Sequence, residues 1–438
     1  MKIEDNNYVG KEKSISEIKD LIPLANKSIK TLCEENENIL VFPTSIMDSN
    51  DRIGDSSIFD LYLKDSEYVN IKTNNVLGFI GRKSQQLHIY SRFDHNDRDY
   101  FLHYMLQRVF SFNMFNLDYS TSDESIFDFL IYIFSSFLKN ALKQGVYKEY
   151  QRFEHNDSNI RGTVDVNRHI KCNIPFRGNV AYTTREHTTD NNITQLIRHT
   201  IEYIKTLPSG KAILDSDLTS KENVRTILDC TSSYQQNQRQ RIIQKNLRSV
   251  NHPFYTEYAP LQRLCLQILR QEEIKYGEES DSVHGILFDG AWLWEEYLNT
   301  ILEELEFKHP ENKLGTGAIY LFEHGGQRFP DFWRNDCVLD AKYKSYGTND
   351  SFDVGREDVH QVITYMYRLK AKTCGVICPS KTRIKPICNN LHMDSYGGTF
   401  VIYNLHIPQD AADYDSFVTK IQESESELTK SILEQLLS

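Results

Sequence analysis

No apolar run in this 438-residue chain reaches the roughly 18 to 20 residues that cross a bilayer. The longest, Phe127 to Leu138, is broken by Asp128 and Ser135-Ser136 and reads as a core helix, so no membrane association is expected. The opening Met1-Lys2-Ile3-Glu4-Asp5-Asn6-Asn7 lacks the basic start and apolar stretch of a cleavable leader, and a cytoplasmic location is expected. A phosphate loop is missing too. Gly78-Phe79-Ile80-Gly81-Arg82-Lys83-Ser84 has the wrong spacing for Gly-x-x-x-x-Gly-Lys-Ser/Thr, so the chain is not expected to hydrolyse nucleotides. Nor is there a positive excess: 50 Lys and Arg against 61 Asp and Glu leave a net charge of −11, unhelpful to a free-standing nucleic-acid binder. Charge is screened within about 10 Å at ordinary salt, so a local basic strip would suffice for a polyanion. Arg239, Arg241, Lys245 and Arg248 are the candidate strip, and they read equally as a solvated helix face. The eight cysteines are scattered, as free thiols of an intracellular chain are. Cys374, Cys378 and Cys388 invite a metal or iron–sulfur reading but lack a fourth ligand at suitable spacing. Thr373-Cys374-Gly375-Val376-Ile377-Cys378-Pro379 reads instead as a buried strand with cysteine as a small hydrophobe.

What is present is length and apolar material for two or three domains. The expected class is α/β (α+β) in three segments. Residues 1–95 begin with helix near Ile15 to Leu32, interrupted at Pro23. They continue with short strand-like runs at Ile39–Phe42, Ile58–Leu63, Tyr68–Lys72, Val76–Ile80 and Leu87–Tyr90, a β-rich N-terminal domain. Asp94-His95-Asn96-Asp97 is a link and helix cap. Residues 96–275 form a mainly helical, partner-binding middle domain with a strand-rich insert near Arg161 to Thr184. A polar linker at Glu278 to Ser282 precedes a C-terminal catalytic domain, residues 276–438, with a mixed sheet flanked by helices. Arg161-Gly162 and Asp165 read as a turn glycine and locally paired charges.

The chemistry concentrates in Phe329-Pro330-Asp331-Phe332-Trp333-Arg334-Asn335-Asp336-Cys337-Val338-Leu339-Asp340-Ala341-Lys342-Tyr343-Lys344. Strand side chains alternate faces, so Asp340 and Lys342 point the same way. A turn at Arg334-Asn335-Asp336 brings Asp340 back beside Asp331. Two carboxylates at that spacing offer hard oxygen ligands to Mg²⁺, which acidifies water and offsets charge on a phosphate, while an ammonium orients the water or the phosphate. Alone, the string reads better as a surface hairpin with a salt-bridged lysine. Its surroundings favour a site. Downstream, Val362, Tyr365, Met366 and Leu369 make one apolar helix face, and Gln361 and Tyr365 lie one turn apart. Upstream, Leu293, Tyr297, Leu298, Ile301, Leu302 and Leu305 line another helix, on which Glu295 is either a third acid or an ordinary exposed glutamate.

Pro-Asp followed by Asp-x-Lys has the layout of a PD-(D/E)xK nuclease core, and Gln-x-x-x-Tyr accompanies that core in recombination-type nucleases. Together with Leu-Trp-Glu-Glu-Tyr-Leu and Val-Leu-Asp-Ala-Lys-Tyr-Lys, these strings resemble the McrC family. Asn159 to Ile170 resembles that family's Arg-Gly-x-hydrophobic-Asp segment. Arg185 to Ile197 resembles the acidic, asparagine-bearing helix start that follows it. The likeness spans roughly residues 97 to 405. It implies a PD-(D/E)xK endonuclease subunit of a modification-dependent restriction system, cutting DNA (possibly methylated) with Mg²⁺. In that reading Asp331, Asp340 and Glu295 are the metal acids, Lys342 is the catalytic lysine, and Gln361 and Tyr365 are accessory groups. It also implies a separate AAA+ GTPase partner of the McrB type, which binds the GTP and is stimulated by this chain. Two rivals remain open: a RecB-type repair or recombination nuclease working without a GTPase, and a non-cleaving adaptor that activates an NTPase.

Overall fold

Alternation at Tyr68–Thr73, where Val69, Ile71 and Thr73 are buried and Tyr68 is exposed, is the period of a half-buried strand, and strands dominate the start of the chain. The computed structural model describes residues 1–36, 39–43, 53–83, 85–94, 98–110, 124–207, 210–248, 250–275, 283–310, 317–346, 354–384, 393 and 397–437. It divides into two compact units, residues 1–111 with 280–438, and residues 112–279.

The first unit opens with β1 (Lys2–Glu4), β2 (Lys11–Ser14), α1 (Ile15–Ile18), α2 (Ile29–Glu35) and β3 (Ile39–Phe42), followed by β4 (Phe59–Leu63), β5 (Tyr68–Thr73), β6 (Val76–Arg82) and β7 (Gln85–Tyr90). The helical stretch around Pro23 is thus two short helices with a 3₁₀ turn, Ile22–Leu24, between them. Strands β2, β5 and β4 make one antiparallel sheet in that order. After β7 comes α3 (Tyr100–Phe110), capped from a distance by Asp94, whose carboxylate accepts from the Phe101 N–H at 2.7 Å. His95, Asn96 and Asp97 of the expected link lie outside the described residues.

The second unit contains α4 (Glu124–Lys143), the core helix expected at Phe127 to Leu138, in which Leu130, Ile131, Ile133, Phe134 and Leu138 are buried. Then follow β8 (Glu149–Asp157), β9 (Thr163–Val164), α5 (Val166–Cys172) and β10 (Val180–Thr188). Strand β10 pairs antiparallel with both β8 and β9, so the insert starts near Glu149 rather than Arg161. Gly162 has a packing reason: a Cβ there would lie 2.1 Å from the Thr183 carbonyl oxygen. Asp165 caps α5 by accepting from the Arg168 N–H at 3.1 Å, a structural duty. Helices α6 (Asn192–Ile204), α7 (Gly210–Leu214), α8 (Leu218–Cys230), α9 (Arg239–Lys245) and α10 (Tyr258–Lys275) complete the unit. Asn191 starts α6 with a reciprocal cap, side chain to the Thr194 N–H and Thr194 hydroxyl to the Asn191 N–H. In α9, Ile242 and Ile243 are buried and Arg241 and Lys245 exposed. Arg239 instead lies 5.6 Å from the centre of the Tyr203 ring.

The chain then returns to the first unit through β11 (Val283–Asp289) and α11 (Gly290–Leu302). Strand β11 enters between β6, antiparallel, and β3, parallel, giving the order β1-β7-β6-β11-β3. Val283 and Leu287 join the apolar core of the N-terminal strands. A linear division at residues 95 and 275 does not describe this shared sheet. The remaining elements are β12 (Ile319–Tyr320), β13 (Gln327–Arg328), β14 (Phe332–Arg334), β15 (Cys337–Ala341), α12 (Arg356–Leu369), β16 (Thr373–Ser380), β17 (Thr399–His406) and α13 (Tyr414–Leu437). Strands β14-β15-β16-β17 form a mixed sheet, antiparallel at the first pair and parallel thereafter. Valines 338, 362 and 376, Tyr365, Met366, Cys374 and Cys378 share one core. Burial pushes both thiols up to about 12, as suits cysteines that pack as hydrophobes, and Cys388 lies outside the described residues. The buried Glu425 of α13 accepts from Tyr104 of α3 at 3.0 Å and Tyr297 of α11 at 2.6 Å, binding three helices to one carboxylate. The architecture is mixed α/β, with several sheets and helices. Among the described residues no helix is long and apolar enough to cross a membrane.

Candidate active site

Strands β14 and β15 turn through Asn335 and Asp336, with Phe332 opposite Leu339 and Arg334 opposite Cys337. Asn335 takes φ +40°, the left-handed conformation that asparagine tolerates in tight turns. Extending the register one step sets Asp331 opposite Asp340, and Asp331 Oδ2 accepts from the Ala341 N–H at 2.8 Å. The Lys342 N–H donates to the Ile377 carbonyl at 2.9 Å, so the parallel ladder continues past β15. Period two then puts Val338, Asp340 and Lys342 on one face. Val338 packs in the core that holds Val362 and Tyr365, so this is the face toward α12.

Five side chains meet there. Lys342 Nζ lies 2.5 Å from Asp340 Oδ2 and donates to Gln361 Oε1 at 3.1 Å. Gln361 Nε2 donates to Asp340 Oδ1 at 3.3 Å and to the Tyr365 hydroxyl at 2.7 Å. The Tyr365 hydroxyl in turn donates to the Phe329 carbonyl at 3.0 Å. Lysine on one side and carboxylate on the other fix which way the Gln361 amide faces. Asp340 is fully buried, and its Oδ2 has the Lys342 ammonium as close partner.

The electrostatics follow from burial. Asp331 is pushed well above the ordinary carboxylate range by burial first, then by Asp340 and Glu295. Burial likewise raises Asp340, against the pull of Lys342. For Lys342 burial opposes the charge, but Asp340, Asp331 and Asp358 outweigh it and hold its pKa above the usual lysine value. Two acids that resist joint ionisation, Asp340 buried and Asp331 half-buried, are what a cation would neutralise.

Glu295 is half-buried on α11, 3.9 Å from His309 Nδ1. His309 also meets the Asp331 carbonyl at 2.9 Å and Glu296 at 3.6 Å, and its ring stacks on Phe332. Glu295 therefore acts on Asp331 through space, yet no group of three or more His, Cys, Asp or Glu among the described residues could hold a metal ion. Asp331 and Asp340 are the donor pair that remains, and a pair of carboxylate oxygens fits Mg²⁺, which takes one or two carboxylates and keeps several waters.

Two residues of the neighbourhood escape motif reading. His309 is 22 positions from Asp331, and only the fold brings them together. Asp358 lies in the first turn of α12 and accepts from Lys344 Nζ at 2.5 Å and the Tyr346 hydroxyl at 2.9 Å. Its signal was available: three residues before Gln361 is the same helix face.

Two solved structures from Thermococcus gammatolerans are similar to this chain. One is a half-complex from a tetradecameric assembly of McrB AAA+ hexamers with bound McrC, 14% identical, covering 98% of this chain and 100% of that one with a TM-score of 0.48. The other is the McrBC complex, also 14% identical, covering 71% and 90% with a TM-score of 0.33. No curated protein matches. Residues 71–379 match the family described as McrBC 5-methylcytosine restriction system component. That match takes in more than half of the sequence, including all six residues from Glu295 to Tyr365 that the motifs single out, and the chain belongs to this family.

Proposed function

We propose that this chain is the McrC-like nuclease subunit of its restriction system, hydrolysing DNA phosphodiesters at a PD-(D/E)xK site. The observation that carries the reading is the network of Asp340, Lys342, Gln361 and Tyr365 on one face of a mixed sheet, with Asp331 held opposite Asp340 by the Ala341 N–H. A surface hairpin with a paired lysine would not bury Asp340 beside a second, repelling acid.

Asp331 and Asp340 would hold Mg²⁺ through their carboxylate oxygens, with Glu295 adding negative charge nearby. When bound, Mg²⁺ acidifies water and offsets charge on the phosphate. Lys342 holds its ammonium beside Asp340, where it orients the attacking water or the phosphate. Gln361 keeps that ammonium and the Asp340 carboxylate in fixed relation, and Tyr365 anchors Gln361 to the backbone just ahead of Asp331.

The chain carries no phosphate loop, so GTP hydrolysis falls to a separate AAA+ GTPase of the McrB type. The decisive test is Asp340→Asn, which keeps shape and removes a charge. Cleavage of supercoiled plasmid with Mg²⁺, partner and GTP should be abolished while the melting temperature is kept. Wild-type cleavage by Asp340→Asn would overturn the site. Cleavage that ignores the partner and GTP would favour the RecB-type reading, and a wild-type chain that never cuts would favour the adaptor.

A further inference from the structure

Asp358 has one carboxylate oxygen for each of two lysines. Oδ1 lies 3.7 Å from Lys342 Nζ, and Oδ2 accepts from Lys344 Nζ at 2.5 Å and from the Tyr346 hydroxyl at 2.9 Å. Its side chain is 12% exposed, against 18% for Lys342 and 48% for Lys344. It shares a helix face with Gln361 and Tyr365, at i, i+3 and i+7 of α12. One rigid helix thus brings Asp358 and Gln361 to a single ammonium, with Tyr365 holding Gln361.

Without Asp358, Lys342 would be drawn toward Asp340, Asp331 and Gln361. We propose that Asp358 is a positioning residue for Lys342, a second carboxylate 3.7 Å from the ammonium that shares it with the 2.5 Å contact to Asp340 and so sets where it stands toward the reacting phosphate. The inference rests on the nuclease reading above and extends it: the functional face of α12 is Asp-x-x-Gln-x-x-x-Tyr, one helical turn longer than Gln-x-x-x-Tyr. Lys344 and Tyr346 are the outer partners that hold Asp358 itself.

The experiment is a double-mutant cycle on plasmid cleavage by the full chain with its partner, Mg²⁺ and GTP. Asp358→Asn should lower kcat by about tenfold or more with KM within about twofold, the signature of a contact used in the transition state. In the Lys342→Ala background Asp358→Asn should cost nothing further, because its effect runs through that lysine. A purely structural residue would cost the same in both backgrounds, and that additivity would overturn the inference. So would wild-type kcat for Asp358→Asn. Should Asp358→Asn fail to fold, Lys344→Met with Tyr346→Phe removes the outer partners that hold Asp358. This pair should lower kcat with KM within about twofold and cost nothing further in the Lys342→Ala background, and wild-type kcat for it would count against the proposal. Asp340→Asn run in parallel separates the two levels: activity there sinks the nuclease reading, whereas a dead Asp340→Asn beside a fully active Asp358→Asn sinks only this inference.

Discussion

Lys342 stands among three oxygen acceptors, and each contact has its own consequence for the ammonium. Asp340 keeps it charged, Gln361 fixes its direction, and Asp358 offers a second carboxylate 3.7 Å away. Removing the ammonium by Lys342→Ala should lower cleavage roughly 10²-fold or more, the scale of one lost electrostatic contact in the transition state. The carboxylates would remain, so Mg²⁺ binding followed by calorimetry should persist; if binding and cleavage vanish together, Lys342 serves the metal pocket and not the reaction. Spacing alone could place Asp331, Asp340 and Lys342 together, because strand alternation and a two-residue turn leave little freedom. It could not reveal His309, whose approach to Asp331 is purely tertiary. A second residue-scale test lies away from the site, at buried Asp94. Burial raises its pKa from 3.8 to about 8. Between those values the folded chain retains a proton that the unfolded chain has released, so stability falls as pH rises and the contribution is lost above about pH 8. Asp94→Asn keeps an oxygen for the cap of α3 and removes the titration. Its melting temperature relative to wild type should climb from about pH 5 to about pH 8 and then level off. A flat difference across that range would mean that Asp94 is not protonated in the fold.

At the scale of elements, α12 was readable from periodicity, and its buried Val362, Tyr365 and Met366 lie on the expected face. The runs at Ile39–Phe42 and Tyr68–Lys72 likewise became β3 and β5. What periodicity could not supply is partnership. Nothing in Val283–Asp289 says that β11 will enter a sheet made by residues some two hundred positions earlier, since strand order is decided by which edges can bury each other's apolar faces. Gly78 records how tightly that insertion fits. It takes φ +114°, and a Cβ there would sit 2.1 Å from the Ile286 carbonyl oxygen. Gly78→Ala should therefore destabilise the first unit by more than about 1 kcal/mol, combining backbone strain with a steric clash. Chemical denaturation is the measurement, and an unchanged midpoint would mean that β6 and β11 do not approach each other this closely.

For the whole molecule, the shared sheet changes how labour can be divided. The N-terminal strands enclose β11, and Arg92 reaches from beyond β7 to the Tyr343 carbonyl while paired with the fully buried Asp5. The residue next to Lys342 is thus held by groups from the start of the chain. Sequence order concealed this, because a polar linker at 278–282 looks like a boundary whichever unit the chain rejoins. A chain ending near residue 280 would lose the strand between β6 and β3 and expose two apolar edges. Residues 1–111 in it should lose cooperative unfolding, whereas residues 112–279, a compact unit by themselves, should keep theirs. Truncation therefore cannot separate cutting from partner activation, and a point substitution can. On the proposed reading, full-length Asp331→Ala should stimulate GTP hydrolysis by the AAA+ partner as wild type does and cut nothing, because it loses a metal ligand and leaves the sheet intact. The assay is GTP turnover and plasmid cleavage in parallel for wild type, Asp331→Ala and the partner alone. If Asp331→Ala lost stimulation along with cleavage while its melting temperature held, the nuclease site and the activating surface would be one, and the separation of roles would have to be abandoned.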